Sequence, residues 1–288
     1  MRPPPRPTVR QEKLAARLFQ LLAPRLPRAV QPDPPQELSP WEHLTVPRPG
    51  GQGVLGATWY AALGRARGAV LLLPPWLEWG RAYFHRRGRI EALRAAGYHA
   101  LALDLPRRGD AFFDRDLEAG LTELRRRVPD LPLHIWGVSS GGYWMHPVLA
   151  RTDQVTGAFF EDVSPHLIEW SCHMAPWGLP AYLFFQHALR SSYRFLDMRR
   201  HATVLRTKAV AYVGGGRDRG VRPVDTRTLA ERAGARCHIV ENAGHLGAIK
   251  LANREVLDLA LETFRKAEEG DYTPKASGSR STARAAPA

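Results

Sequence analysis

Short apolar runs alternate with stretches of helical periodicity along most of this chain. Residues 69–73 form an uninterrupted apolar run, as in a strand that is buried on both faces. Residues 87–96 then show helical spacing and end before Gly97, a common residue type just after a helix. Strands that alternate with helices in this way predict an α/β fold, in which helices flank both faces of a mostly parallel sheet.

The same patterns locate the individual elements. The chain has 288 residues, 44% of them apolar, which is ample for one buried core, and we predict a single domain over residues 41–267. The predicted strands cover 43–48, 55–62, 69–73, 98–105, 131–136, 155–160, 209–213 and 236–240. The predicted helices cover 87–96, 116–127, 140–150, 226–233 and 254–267.

Residues 163–206 interrupt the alternation. This segment is rich in aromatic residues and has no strand pattern, which predicts a helical insertion, or lid, over one end of the sheet. We expect Trp170, Trp177 and Phe184 to bind substrate, although aromatic residues in such a segment also fasten it to the body.

The two ends of the chain differ from the middle. Residues 1–40 are a Pro/Arg-rich extension, in which residues 12–22 have the apolar spacing of a short helix. We expect this helix to pack on the domain, with a weak surface anchor as the alternative. Residues 268–288 are rich in Ser, Ala, Arg and Pro and are predicted to be a disordered tail.

Composition excludes several classes of protein. No apolar run approaches the roughly 20 residues that span a bilayer, and the N-terminus lacks the apolar core of a signal peptide, so we predict a cytoplasmic protein. Cys172 and Cys237 are too few for a disulfide framework and are expected to be reduced. The histidines form no metal-binding motif, and neither a metal nor a cofactor is expected.

The formal net charge of +13 raises the question of a nucleic-acid partner. The arginines are spread along the whole chain, and no basic run is interleaved with stacking aromatic residues. This distribution favours an Arg-rich solvated surface over specific nucleic-acid binding. The alternative is a nucleic-acid or anionic-surface partner recruited by the basic ends of the chain.

The strongest chemical signal is the segment 137–141, Gly-Val-Ser-Ser-Gly, between a predicted strand and a predicted helix. A nucleophile has to project from a sharp turn at the C-terminal end of a strand, where the crevice of an α/β sheet lies. Such a turn leaves no room for side chains two residues before or after the nucleophile, and both positions are glycine here. The pattern predicts Ser139 as the nucleophile, with the N–H of Ser140 placed to bind an oxyanion.

A serine hydroxyl needs a base, and the base needs a carboxylate to orient it. His245 is the best candidate for the base, because it lies in the loop after a late strand and therefore at the same sheet edge as Ser139. Asp218 follows an intervening strand through a Gly-rich loop and is favoured as the acid. Asp162, after the strand at 155–160, is the alternative acid.

The order Ser139, Asp218, His245 resembles that of the α/β-hydrolase superfamily, over about residues 41–267. The resemblance implies an eight-stranded, mostly parallel sheet, with a lid inserted after the strand that follows the nucleophile. The segment 163–206 falls at that place.

One segment departs from the pattern of the superfamily. Its members often have His-Gly after the first central strand, where a backbone N–H completes the oxyanion hole. This chain has Pro74, Pro75 and Trp76 there, and proline has no N–H to donate. The resemblance therefore implies the N–H of Trp76 as the second donor beside that of Ser140.

These residues predict a carboxylic ester hydrolase of the serine esterase or lipase type. Its substrate would be a small ester with an apolar acyl group, cleaved through an acyl-enzyme. The alternatives are an acyltransferase or thioesterase on the same site, and a binding protein of the hydrolase fold that is catalytically idle.

Overall fold

The computed structural model describes residues 2–22, 41–51, 53–75, 80–105, 112–174, 178–207 and 209–270. Eight strands form one sheet: β1 (Glu42–Pro47), β2 (Val54–Tyr60), β3 (Gly68–Leu73), β4 (Tyr98–Leu103), β5 (Leu133–Val138), β6 (Val155–Glu161), β7 (Ala209–Gly215) and β8 (Arg236–Val240). Each lies where the sequence predicts a strand, and no end differs by more than two residues.

The strands are arranged in the order β1-β2-β4-β3-β5-β6-β7-β8. The β1–β2 and β2–β4 pairs are antiparallel, and all other neighbours are parallel. The predicted fold class, a mostly parallel α/β sheet, is therefore confirmed. All six residues of β3 and all six of β5 are buried, because these central strands are covered on both faces.

Eleven α-helices occur in the described part of the chain: α1 (Val9–Leu22), α2 (Arg89–Ala95), α3 (Asp114–Arg127), α4 (Ser140–Leu149), α5 (Leu167–Met174), α6 (Gly178–Ala188), α7 (Arg190–Phe195), α8 (Met198–Ala202), α9 (Pro223–Ala233), α10 (Ala248–Leu251) and α11 (Asn253–Glu269). Helices α2 and α11 contribute to the apolar core on one face of the sheet. Helices α3, α4 and α9 contribute to the core on the other face.

Helix α11 shows how the sequence pattern becomes packing. Its buried apolar residues Val256, Ala260 and Phe264 recur every four positions, so they form one stripe along the helix. That stripe packs on β6 and β7. The prediction of a helix over 254–267 is confirmed, with two further residues at the C-terminal end before Gly270.

Helices α5 to α8 occupy the segment between β6 and β7, where the sequence predicts a helical insertion. Tyr143 of α4 fastens this insertion at two points. Its hydroxyl donates to the carbonyl of Leu196 and accepts from the N–H of Leu167 at 3.2 Å. Tyr143 is buried, so the start of α5 and the end of α7 are both tied directly to the helix that follows β5.

The N-terminal helix α1 packs on the body. Ala15 is only 2% exposed and belongs to the same apolar core as α3, α4 and α9. Helix α1 also contacts α6 and α7 of the insertion. The guanidinium of Arg6 forms ion pairs with Glu12 and with the buried Asp114. None of the helices in the described ranges is long and apolar enough to cross a membrane.

Candidate active site

The backbone turns sharply at Ser139, between the end of β5 and the start of α4. Ser139 has φ 48° and ψ −116°, a conformation that residues other than glycine rarely adopt. Its N–H donates to the carbonyl of Glu161 on the neighbouring strand at 2.8 Å, which holds the turn against β6. A strained residue that is held in place by the surrounding structure is common at active sites.

The glycines around Ser139 are required by close packing. A Cβ on Gly141 would lie 2.6 Å from the carbonyl oxygen of Leu73 and 2.7 Å from that of Pro74. A Cβ on Gly137 would lie 2.5 Å from the Cα of Gly142. The sequence argument for small residues at 137 and 141 therefore corresponds to contacts between backbone segments, where no side chain can give way.

Three residues from separate loops form a hydrogen-bonded chain at this edge of the sheet. The Nε2 atom of His245 lies 3.2 Å from the Oγ of Ser139, and its Nδ1 lies 2.7 Å from the Oδ2 of Asp218. The other oxygen of Asp218 accepts from the N–H groups of Gly220 and Val221 at 2.8 and 2.9 Å. With its carboxylate held by three hydrogen bonds, Asp218 fixes the orientation of the imidazole.

Burial and charge act in opposite directions on His245. Burial alone would lower the pKa of His245, but the hydrogen bond and the charge of Asp218, with a contribution from the charge of Asp162, raise this pKa above its usual value. The side chain of His245 is 34% exposed and that of Asp218 is fully buried. The imidazole is therefore accessible to a substrate, while the carboxylate of Asp218 is shielded from solvent.

The loop that carries Asp218 rests directly on the loop that carries His245. A Cβ on Gly215 would lie 2.5 Å from the carbonyl oxygen of Ala243, and a Cβ on Gly216 would contact the carbonyl of Glu241. The Gly-rich sequence before Asp218 therefore allows the backbones of the two loops to touch, which brings acid and base together.

Asp162, the alternative acid, lies beside this chain of hydrogen bonds but takes no direct part in it. It follows β6, is 1% exposed, and accepts from the N–H of Gly215 at 3.1 Å and from the N–H of Leu246 at 2.9 Å. Burial raises the pKa of Asp162 to about 7, although the charge of His245 opposes this shift. The carboxylate that contacts the imidazole is that of Asp218.

Polar atoms of Asp162, Asp218 and His245 lie within 4.8 Å of one another, a spacing that a metal ion also requires. Each carboxylate already accepts two backbone N–H bonds, and Asp218 also receives His245. Hydrogen bonds within the protein thus account for these oxygens.

Of the two predicted oxyanion donors, Ser140 lies within the described residues and Trp76 does not. Ser140 is the first residue of α4, so its N–H has no partner within the helix and lies beside the nucleophile. Its side-chain hydroxyl is buried and has no hydrogen-bond partner. Trp76 lies outside the described residues.

The three predicted substrate-binding aromatics also differ. Trp170 is half-buried in α5. Its Nε1 lies 3.1 Å from the point that a Cβ on Gly220 would occupy, so Trp170 borders the loop of Asp218. Phe184 is 44% exposed on α6, whereas its neighbour Phe185 is buried. Trp177 lies outside the described residues.

Two other histidines, His146 and His134, have structural partners. His146 is buried between the carbonyl of Gly142 and the hydroxyl of Tyr212, and burial lowers its pKa to about 4. His134 lies 3.2 Å from the carboxylate of Glu268 at the opposite end of the core strand β5.

Sequence reasoning missed a buried charge pair next to the site. The guanidinium of Arg89 binds both carboxylate oxygens of Glu161, at 2.7 and 3.1 Å, and Trp136 donates its indole N–H to the same carboxylate. Glu161 directly precedes Asp162. The only signal in the sequence is an acidic residue at the end of an apolar strand, which does not reveal its partner.

This sheet order, with a strained serine after β5 and with Asp218 and His245 after β7 and β8, defines the α/β-hydrolase fold. No family model matches the sequence, and a search of curated proteins finds no match either. Among solved structures, an esterase of Pyrococcus furiosus, Pf2001, is similar with a TM-score of 0.66 and 18% identity, over 84% of this chain and 97% of that one.

Two further structures share the fold. A lipase in its open form has a TM-score of 0.63 and 15% identity, over 79% of this chain and 99% of that one. An acylaminoacyl peptidase of Pyrococcus horikoshii has a TM-score of 0.61 and 13% identity, over 83% of this chain but only 43% of that one. At these identities the likeness shows the fold.

Proposed function

We propose that this protein is a serine hydrolase that cleaves carboxylic esters through an acyl-enzyme. The observation that carries the proposal is the chain of hydrogen bonds from Asp218 through His245 to Ser139. A base that touches the hydroxyl and a carboxylate that touches the base are the two requirements for activating a serine.

The first half of the reaction forms the acyl-enzyme. The Oγ of Ser139 attacks the ester carbonyl carbon as its proton passes to Nε2 of His245, and the carbonyl oxygen becomes an oxyanion that the N–H of Ser140 binds. The carboxylate of Asp218 stabilises the imidazolium through Nδ1. The tetrahedral intermediate then collapses, and the leaving alkoxide takes the proton from Nε2 of His245 and departs as the alcohol.

The second half releases the acid. Water gives a proton to Nε2 of His245 and attacks the acyl carbon, and collapse of the second intermediate returns the proton to the Oγ of Ser139. The names of two similar structures, an esterase and a lipase whose lengths this chain nearly spans, favour ester substrates over peptides. The aromatic side chain of Trp170, beside the loop of Asp218, supports an apolar acyl group.

Labelling with a fluorophosphonate tests the nucleophile directly. We expect wild type to be labelled with stoichiometry near one and to hydrolyse p-nitrophenyl butyrate, and Ser139→Ala to do neither. Ser191→Ala, which removes another buried hydroxyl, serves as the control and should behave as wild type. A wild-type protein that resists the probe would refute the proposal.

The assignment of the acid is tested by comparing two variants. Asp218→Asn should lower kcat by about 10⁴-fold, because the amide favours the wrong tautomer of the base. Asp162→Asn should lower kcat far less. The opposite ranking would make Asp162 the acid of the relay.

A further inference from the structure

A second buried carboxylate, that of Asp162, links the two loops that carry Asp218 and His245. Its Oδ1 accepts from the N–H of Gly215, at the end of the strand that leads to Asp218, and its Oδ2 accepts from the N–H of Leu246, the residue after His245. A single side chain therefore bridges the acid loop and the base loop, in addition to the contacts between their backbones. None of the sequence patterns predicts this link.

The backbone around this link is strained. Four residues other than glycine have positive φ in the described part of the chain, and three of them are Ser139, Asp162 (φ 50°) and Leu246 (φ 55°). Such conformations cost about 1–3 kcal/mol each and persist where the surrounding structure enforces them. The hydrogen bond from Leu246 to Asp162 ties two of these strained residues together, immediately beside His245.

The charge of Asp162 also reaches the imidazole. A carboxylate oxygen of Asp162 lies within 4.8 Å of a ring nitrogen of His245 and of an oxygen of Asp218. Among the described residues, the charges that raise the pKa of His245 are those of Asp218 and Asp162. The carboxylate of Glu161, which directly precedes Asp162, is neutralised by the buried guanidinium of Arg89.

We propose that Asp162 is a positioning residue of this site, which locks the His245 loop onto the Asp218 loop and adds a second negative charge that stabilises the imidazolium. This inference rests on the proposed hydrolase function, because in the proposed reaction His245 becomes an imidazolium when it takes the proton of Ser139. Burial raises the pKa of Asp162 to about 7, so its charge is present above that pH and is lost below it.

The test measures the titration of His245 by NMR of its ring nitrogens, which requires no substrate. In Asp162→Asn we expect the pKa of His245 to fall by about one pH unit, the lower end of the effect of a charge 4–6 Å away. The acidic limb of the kcat/KM profile should move to lower pH by the same amount. At the alkaline plateau kcat should fall about tenfold with little change in KM, because one pH unit of lost stabilisation corresponds to tenfold in rate.

Asp162→Glu separates charge from position. It keeps the charge on a longer side chain, so His245 should retain its raised pKa while kcat falls through displacement of the loops. Asp116→Asn is the matched control, because Asp116 is also a buried carboxylate but lies on α3 and pairs with Arg48. It should leave both the His245 titration and the pH profile unchanged.

An unchanged pKa of His245 in Asp162→Asn, with an unshifted acidic limb, would overturn the proposal and leave Asp162 a purely structural residue. Failure of the hydrolase function would look different, because wild type would then resist the fluorophosphonate while the NMR titration still reported the charge of Asp162.

Discussion

Ser139 and Asp162 are equivalent residues of neighbouring strands. Val138 and Glu161 are in register in the parallel β5–β6 pair, so the residues that follow them leave the sheet side by side. Both have positive φ, and each donates its backbone N–H to the next strand, Ser139 to Glu161 and Asp162 to Val213. The strained backbone at Ser139 and Asp162 is therefore held by hydrogen bonds between the C-terminal ends of β5, β6 and β7.

The raised pKa of Asp162 predicts an unusual pH dependence of stability. The unfolded chain loses this proton near pH 4 and the folded chain near pH 7, so the folded state binds the extra proton between these values. The free energy of unfolding should fall as pH rises through this window, by up to about 4 kcal/mol from this group.

Urea denaturation of wild type and Asp162→Asn at pH 5 and pH 8 measures this contribution. The variant should lose less stability than wild type between the two pH values. Equal losses in both proteins would show that the folded-state pKa of Asp162 is not raised.

At the level of elements, the turn from β5 into α4 depends on backbone contact with the end of β3. The Cβ that Gly141 lacks would meet the carbonyl oxygens of Leu73 and Pro74. These carbonyls belong to the sheet edge, between β3 and β5, where helices leave toward opposite faces and where α/β folds place their ligands. The packing of one glycine thus fixes where the first turn of α4 and the N–H of Ser140 lie.

We expect Gly141→Ala to destabilise the protein by about 1–3 kcal/mol, as overpacking does, and to abolish labelling of Ser139 by displacing the turn. Gly244→Ala is the control, because a Cβ there meets nothing within 4 Å and the residue does not have positive φ. Its free energy of unfolding should stay within about 0.5 kcal/mol of wild type. Urea denaturation and labelling rates compare the two, and similar behaviour would contradict the close packing at Gly141.

At the level of the whole molecule, the N-terminal segment is part of the packed body. Arg6 pairs with Asp114 at the start of α3, and its guanidinium carbon lies 5.7 Å from the centre of the Phe195 ring in α7. Asp114 is fully buried and has a second cationic partner in Arg151, at 3.0 Å. One arginine thus joins the N-terminal extension, a sheet-covering helix and the insertion.

Arg6→Ala should lower the free energy of unfolding by about 1–3 kcal/mol, because it removes one of two partners from a buried carboxylate. Arg10→Ala, which removes an exposed arginine of α1, should change it by less than about 0.5 kcal/mol. Urea denaturation distinguishes them, and equal effects would mean that α1 is not held by this ion pair.

Local features of this fold can be predicted from short stretches of the sequence. Apolar runs and helical spacing are properties of neighbouring residues, so they were sufficient to locate the eight strands and to indicate their mostly parallel arrangement. The sequence also predicts the turn at Ser139, because the glycines that it requires lie within two residues of the serine. The positions of Asp218 and His245 followed from the rule that parallel strands end at one edge.

Which groups touch across that edge depends on the three-dimensional packing of the loops. It placed Asp218 on the imidazole and Asp162 on two backbone N–H groups, and it paired Glu161 with Arg89, which is distant in sequence. It also packed α1 on the body. These contacts depend on distances of a few ångströms between loops, which periodicity and spacing along a chain do not encode.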